Sequence, residues 1–490
     1  MLRIVLLMMD VGFMSKALNK QSTEQQKTDT DTDSWAWLSG FNARKCKQPI
    51  LYLALVEQLQ YAIEQGWLRA GDKLATHREL SQHLQIAVAT ASKVYRHARE
   101  QGLIHARVGR GSYVSSFPVL GKAIRAHDYQ SINLSIIKPQ LAIGEVFLAQ
   151  QLQALAAQTQ LADLMDYNAQ GSYTDRRAAF EWLTAQGVAL DDKSISICSG
   201  AQHGLMVLIN CLSEYGDNIA VEDYCYPGII SLANQMGRNL VAIEMDQQGM
   251  CPQSLEDACA QGKIKMLVVV ASHQNPTAAV MSIARRKAIA KIVKKYAIPF
   301  IDDDVYGFLS PQLPALANFA PKQSFYLTSL SKSVFPGLRV AYIVAPEQYK
   351  IRIDAQIRQS IWMPAPLTLA LASKLIFAGQ AADIQRQQSE QAAKRQRLAA
   401  QFLVGFSYFS QPNSYHLWLL LPDVFTSESF CQALEQRGVL VSSSTYFNTS
   451  EQVACAAVRI ALMAPNSEDE LVFALKIIRT LLKEGMDNHK

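Results

Sequence analysis

The chain has 490 residues, of which 49% are apolar and 18% charged. That length exceeds one ordinary core and that composition excludes a disordered or fibrous protein, so two or three folded domains are expected. The net charge of +5 is uneven: Arg44 to Ala126 holds 13 Lys/Arg against 5 Asp/Glu, a balance of +8, which leaves the rest near −3 and points to a polyanion-binding module on a mildly acidic body.

The chain opens on MLRIVLLMMDVGFM, an apolar run broken by Asp10 and too short to span a bilayer, so no membrane association is expected. Residues 17–34 are polar, and residues 1–45 are read as a disordered extension. The eight cysteines, Cys46, Cys198, Cys211, Cys225, Cys251, Cys259, Cys431 and Cys455, form no CxxC and no paired ligand spacing. No metal site is therefore expected, and scattered thiols fit a reducing cytoplasm.

Residues 46–115 make the first domain. Leu55, Val56, Leu59 and Ile63 fall at helical spacing, with Gly66 as the stop. Thr76 and Glu79 form a T-x-x-E capping box, which starts a second helix. Val88, Ala91, Val94, Tyr95 and Ala98 define the inner face of a third helix that ends at Gly102. LIHARVGRGSYV then reads as two short strands around a glycine turn. Three helices and a basic hairpin make a winged helix-turn-helix, an α+β domain whose last helix would enter the major groove of double-stranded DNA. Thr90, Ser92, Lys93 and Arg96 are its candidate DNA-facing groups. His77 and Arg78 stand at the first turn of the preceding helix, where N–H groups and basic side chains can meet a phosphate. Arg107 and Arg110 on the wing are candidates for backbone or minor-groove contact. The plain alternative is a helical domain with a solvated basic face; pattern, charge and wing together outweigh it.

Residues 51–115, through AGDKLATHREL, TASKVYRHAREQGLI and ARVGRGSYV, resemble the DNA-binding domain of GntR-type regulators. Two positions depart from that family. Ala75 stands where proline is usual, and Ala87 stands where a serine commonly caps the recognition helix. A missing cap typically costs ~1 kcal/mol.

Residues 116–131 lack periodicity and read as linker. From 132 to 486 short β-rich runs alternate with helical stretches, which predicts an α/β body with a mainly parallel sheet, divided into a large part at about 165–360 and a small part at about 370–486. Ligands gather at the carboxyl ends of such strands. Five strand exits, SGAQHGL, EDYCYPG, SHQNPT, DDDVYGF and LSKSVFPGLR, together supply the parts needed to hold pyridoxal 5'-phosphate. Lys332 is the candidate amine for the Schiff base with the cofactor aldehyde. Asp303 is the candidate carboxylate for the pyridine nitrogen, with Asp302 and Asp304 leaving the choice open. Asn275 and Tyr306 can donate to the phenolic oxygen, and Tyr226 is placed to stack on the ring. Gly200, Ala201 and Gln202 offer N–H groups to the phosphate, with Ser329 and Arg339 adding a hydroxyl and a cation.

Over residues 132–486 the body resembles fold-type I aminotransferases, through YNAQGSYTDRRAAFEWL, SGAQHGL, HQNPTA, DDDVYG and SLSKSVFPGLRVAY. The resemblance implies that Arg459, in AAVRIAL, grips the carboxylate of an amino compound. Ala278 departs, since many relatives carry glycine there. A winged-helix reader on such a body resembles the MocR subgroup of GntR regulators. That implies a cytoplasmic transcriptional regulator, a head-to-tail homodimer, and an effector that is the cofactor itself or an amino compound. The competing readings are a working aminotransferase with an accessory DNA-binding domain and a DNA-binding protein with an empty body.

Overall fold

The computed structural model describes residues 35–38, 51–64, 67–68, 72–100, 103–107, 111–114, 131–140, 145–158, 164–450 and 454–487. The chain divides into two compact units, Met1–Phe117 and Pro118–Lys490.

The first unit holds α1 (Leu51–Glu64), α2 (His77–Leu84), α3 (Val88–Glu100), β1 (Ile104–Arg107) and β2 (Gly111–Val114). Leu55, Leu59, Leu80, Val94, Tyr95 and Ala98 are fully buried between the helices, each large apolar side chain contributing about 1.5–3 kcal/mol. Thr76 caps α2 reciprocally: its hydroxyl accepts from Glu79 N–H, and the Glu79 carboxylate accepts from Thr76 N–H at 2.7 Å. Ala87 offers α3 only its carbonyl, which accepts from Thr90 and Ala91. β1 and β2 pair antiparallel with Ile104 opposite Val114, which forms the wing. Part of the stretch read as a disordered extension is ordered. Ala36–Leu38 forms a 3-10 turn, Trp37 is fully buried, Gln58 Nε2 donates to its carbonyl at 2.9 Å, and Trp35 stacks on His83 at 4.0 Å. The two indole rings bury enough apolar area to hold this short turn against α1 and α2.

In the second unit β3 (Ile132–Asn133) precedes a seven-stranded sheet of β4 (Lys193–Cys198), β5 (Asn218–Glu222), β6 (Asn239–Ile243), β7 (Ile264–Val269), β8 (Phe300–Asp303), β9 (Ser324–Ser329) and β10 (Ala341–Pro346). The order across the sheet is β4-β10-β9-β8-β7-β5-β6. Only β10 runs antiparallel to its neighbours. Every residue of β8, β9 and β10 is buried, the continuous burial of strands covered on both faces. One core packs Leu205, Val221, Val268 and Leu327; on the opposite side lie Leu267, Phe300 and Ile289, and beside them Trp182, Tyr326 and Tyr342. A second, antiparallel sheet orders β11 (Tyr408–Phe409), β12 (His416–Leu420), β15 (Ala457–Ala461) and β14 (Ser442–Ser443), while β13 (Val439–Leu440) pairs in parallel with β3. Among the described residues no single helix is long and apolar enough to cross a membrane.

Candidate functional site

The carboxyl ends of β4, β5, β7, β8 and β9 bring the expected residues of the body into one neighbourhood. Lys332 lies in the short helix Leu330–Ser333 that leaves β9, and Asp303 ends the adjacent β8. Lys332 is half-buried, and its Nζ donates to the Ile137 carbonyl. Burial, then the Arg459 and Arg339 guanidiniums, push its amine down to about 8, while Asp303 opposes them. Asp303 is buried and is pushed up to about 7 by burial and by Asp304, with Lys332 opposing.

Alternation along β8 turns Asp303 away from Asp302, and their partners differ accordingly. Asp302 accepts from Ala317 N–H at 2.8 Å, and Asp304 from the Tyr326 hydroxyl at 3.3 Å. Both feel Arg286, which is fully buried and donates to the carbonyls of Met281, Pro314 and Ala271 and to Ser272. Asp303 instead faces Lys332, and its Oδ1, like the Oδ1 of Asp302 and of Asp304, is buried with no partner. A buried, unpartnered carboxylate oxygen is costly. It fits an incoming N–H such as that of a protonated pyridine.

Around this pair stand Tyr226, Tyr306, Asn275 and Arg459. Tyr226 is half-buried and pushed up to about 12 by burial and by Asp303, with Arg459 and Arg339 opposing. Tyr306 is buried, and that burial raises its phenol. Asn275 precedes a cis proline, and its Oδ1 accepts from Arg459 Nη1 at 2.8 Å. Arg459 Nη2 donates to the Ser135 carbonyl and to Ser442 Oγ at 3.1 Å, and its guanidinium lies 4.8 Å over the Phe447 ring. Burial pushes this arginine down to about 10.

An uncapped helix start and a guanidinium meet where β4 turns into the helix Ala201–Leu212. Gly200 has φ 87°, and a Cβ on it would lie 2.2 Å from Arg339 Nη2, so only glycine lets the guanidinium reach the helix start. Ala201 and Gln202 begin that helix with no side-chain cap, which leaves their N–H groups open to an anion. Gln202 Nε2 donates to the Gly228 carbonyl at 3.2 Å, and its Oε1 is buried without a partner. Ser329 Oγ donates to the Val340 carbonyl at 3.0 Å, and Ser331 Oγ accepts from Arg339 Nη1 at 3.3 Å.

Several groups here carry no sequence signal that reading by motif could find. The Ser135 and Ile137 carbonyls are backbone atoms. Tyr415 donates its hydroxyl to the Lys332 carbonyl at 2.9 Å, and His416 Nε2 bonds the Gln274 carbonyl at 2.9 Å. Burial pushes His416 down to about 3, so it is neutral with its proton on Nε2. Ser331 and Ser442 lie beside residues that motif and spacing do single out.

On the reader, Arg78, Lys93 and Arg96 are exposed, and Thr90 is half-buried. His77 and Ser92 are placed otherwise than as free DNA-facing groups. His77 Nδ1 bonds Ser92 Oγ at 3.2 Å, and its ring packs 4.9 Å from Tyr95, so the pair fastens α2 to α3. The Arg107 side chain and all of Arg110 lie outside the described residues.

The profile of aminotransferase class I and II matches residues 132–478, and that of the bacterial regulatory proteins of the gntR family matches residues 51–114. The uncharacterized HTH-type transcriptional regulator YdeF of Bacillus subtilis is 32% identical over 445 residues, 90% of this chain and 96% of the relative. The HTH-type transcriptional regulator TauR of Rhodobacter capsulatus is 27% identical over 282 residues, 54% of this chain and 55% of the relative. The multiple substrate aminotransferase of Thermococcus profundus superposes with a TM-score of 0.68 at 19% identity, covering 75% of this chain and 94% of that one. An archaeal alanine:glyoxylate aminotransferase gives 0.67 at 22%, covering 72% and 91%. Fold and site thus define a winged helix-turn-helix module carried by a fold-type I aminotransferase body, a fold whose family implies pyridoxal phosphate. The chain belongs to the aminotransferase class I and II family and, through its gntR-family module, to the MocR-type regulators.

Proposed function

We propose that this protein is a transcriptional regulator whose reader binds operator DNA and whose body holds pyridoxal phosphate on Lys332 and senses the cofactor or an amino compound there. One observation carries the cofactor assignment. A buried carboxylate oxygen on Asp303 has no partner, next to a lysine amine whose proton affinity is lowered. When bound, the cofactor would supply an electron-withdrawing ring and a reactive aldehyde. Lys332 would anchor it, and Asp303 would accept the pyridine N–H. Tyr226 would cover one ring face, and Asn275 and Tyr306 would donate to the phenolic oxygen. Gly200, Ala201, Gln202, Ser329 and Arg339 would hold the phosphate. Arg459 would receive the carboxylate of an amino acid. Exposed Arg78, Lys93 and Arg96 supply the reader with phosphate-binding charge. Tyr167 and Trp362, in ring contact at 6.0 Å and largely exposed, give the body an apolar surface suited to a second copy of the chain in a head-to-tail pair.

The test is addition of pyridoxal phosphate to cofactor-free protein, followed by borohydride reduction and peptide mapping. Attachment at Lys332 is expected, and attachment at another lysine overturns the assignment. The filled set of site residues, Arg459 included, favours a second reading as a working aminotransferase. Steady turnover with an amino donor and a keto acid, without any operator affinity, would establish it.

A further inference from the structure

The segment 131–140 is the first described part of the body after the reader. It is pinned at both ends. At its start, Ile132 N–H donates to the Gly438 carbonyl and Leu134 N–H to that of Leu440, and the Leu134 carbonyl accepts from Ala461. At its end, Gln140 and Gln388 exchange two hydrogen bonds, and Gln140 Nε2 reaches the carbonyls of Met463 and Pro465. Between these anchors two backbone carbonyls turn into the site. Ser135 accepts from Arg459 Nη2, and Ile137 accepts from Lys332 Nζ. Arg459 is the cation that the carboxylate of an amino acid bound there would need, and Lys332 is the amine that the cofactor would take.

We infer that residues 131–140 form a strap that occupies Arg459 until an amino-acid ligand displaces it, and that its release is the signal sent toward the reader. The inference rests on the cofactor reading above and adds its regulation. A carboxylate gripped by two prongs uses Nη2 together with Nη1 or Nε. Both hydrogens of Nη2 are already engaged, by the Ser135 carbonyl and by Ser442 Oγ. Ser442 Oγ itself donates to the Ser135 carbonyl at 3.3 Å. The carboxylate therefore competes with the Ser135 carbonyl for Nη2, and displacing that carbonyl leaves it with the longer bond from Ser442. Lys332 engaged by a cofactor no longer offers its ammonium to Ile137, so in the loaded protein the Arg459 bond is the one that an amino acid contests. Leu134 and Ser135 are fully buried and Ile137 nearly so, so losing a charge-assisted bond at the Ser135 carbonyl is costly and favours a shift of the segment.

The experiment uses the full chain and two probes, N-(5'-phosphopyridoxyl)-L-alanine and its counterpart without a carboxylate, N-(5'-phosphopyridoxyl)ethylamine. Both are brought to saturation, and amide hydrogen exchange is followed over residues 132–137. At least about fivefold faster exchange is expected with the alanine conjugate than with the ethylamine conjugate. Equal or slower exchange, with both bound, overturns the strap and leaves the cofactor reading standing. Failure of either conjugate to bind overturns the cofactor reading and the strap with it.

Discussion

Lys332 is a reactive lysine because of its surroundings. Burial and the Arg459 and Arg339 charges lower its proton affinity, so the amine is half neutral near pH 8. At pH 7 roughly one molecule in ten then carries a free amine, against about one in 3,000 for an unperturbed lysine. The rate of cofactor attachment should therefore rise about tenfold per pH unit below 8 and level off above it, followed by visible absorbance after rapid mixing. A rate that climbs steadily to pH 10 would mean the lysine is unperturbed. Asp303 raises the proton affinity of Lys332, so Asp303→Asn should move the inflection to lower pH while weakening cofactor retention. Lys332→Ala should remove the reducible adduct and leave the circular dichroism of the body unchanged.

The recognition helix α3 is the element where sequence and structure can be weighed most directly. Ala87 gives it no side-chain cap, so Ala87→Ser should stabilise the helix start by about 1 kcal/mol. That is about a fivefold slowing of amide exchange at Thr90 and Ala91, and no slowing would mean that the start is held by something other than its cap. The exposed pair Lys93 and Arg96 should act on phosphates. Replacing both with alanine should reduce the slope of log affinity against log salt by about 1.8, and an unchanged slope would move the DNA-reading face elsewhere. Elements like this one were legible because their signals are local: the capping box at Thr76, the apolar spacing from Val88 to Ala98, the Ser329 to Lys332 step at a strand exit. The choice of Asp303 over its neighbours was not, because it depends on which face of β8 meets Lys332. The Ser135 and Ile137 carbonyls were invisible for a stronger reason. Their partners lie 324 and 195 residues away, and a backbone oxygen leaves no mark in residue type. Trp37 was hidden by the polar run before it, which outweighed two tryptophans in a reading by composition.

At the scale of the whole chain, the proposed function requires that occupancy of the body change the reader's grip on DNA, and linkage then makes the effect reciprocal. If a saturating phosphopyridoxyl-L-alanine changes operator affinity by some factor, saturating operator must change affinity for the conjugate by that same factor. Couplings of this kind usually amount to 5–150-fold, so a change of at least about fivefold is expected. The strap gives this a structural handle. Asn133 Oδ1 accepts from both the N–H (2.9 Å) and the hydroxyl (2.7 Å) of Ser135, and so holds the carbonyl that faces Arg459. Asn133→Ala should loosen that carbonyl before any ligand arrives. Operator affinity of the unliganded variant should then already lie near the liganded wild-type value, and the coupling should shrink equally whether measured by operator titration or by conjugate titration. A variant that binds both ligands and keeps the full wild-type coupling would show that the signal leaves the body by another route.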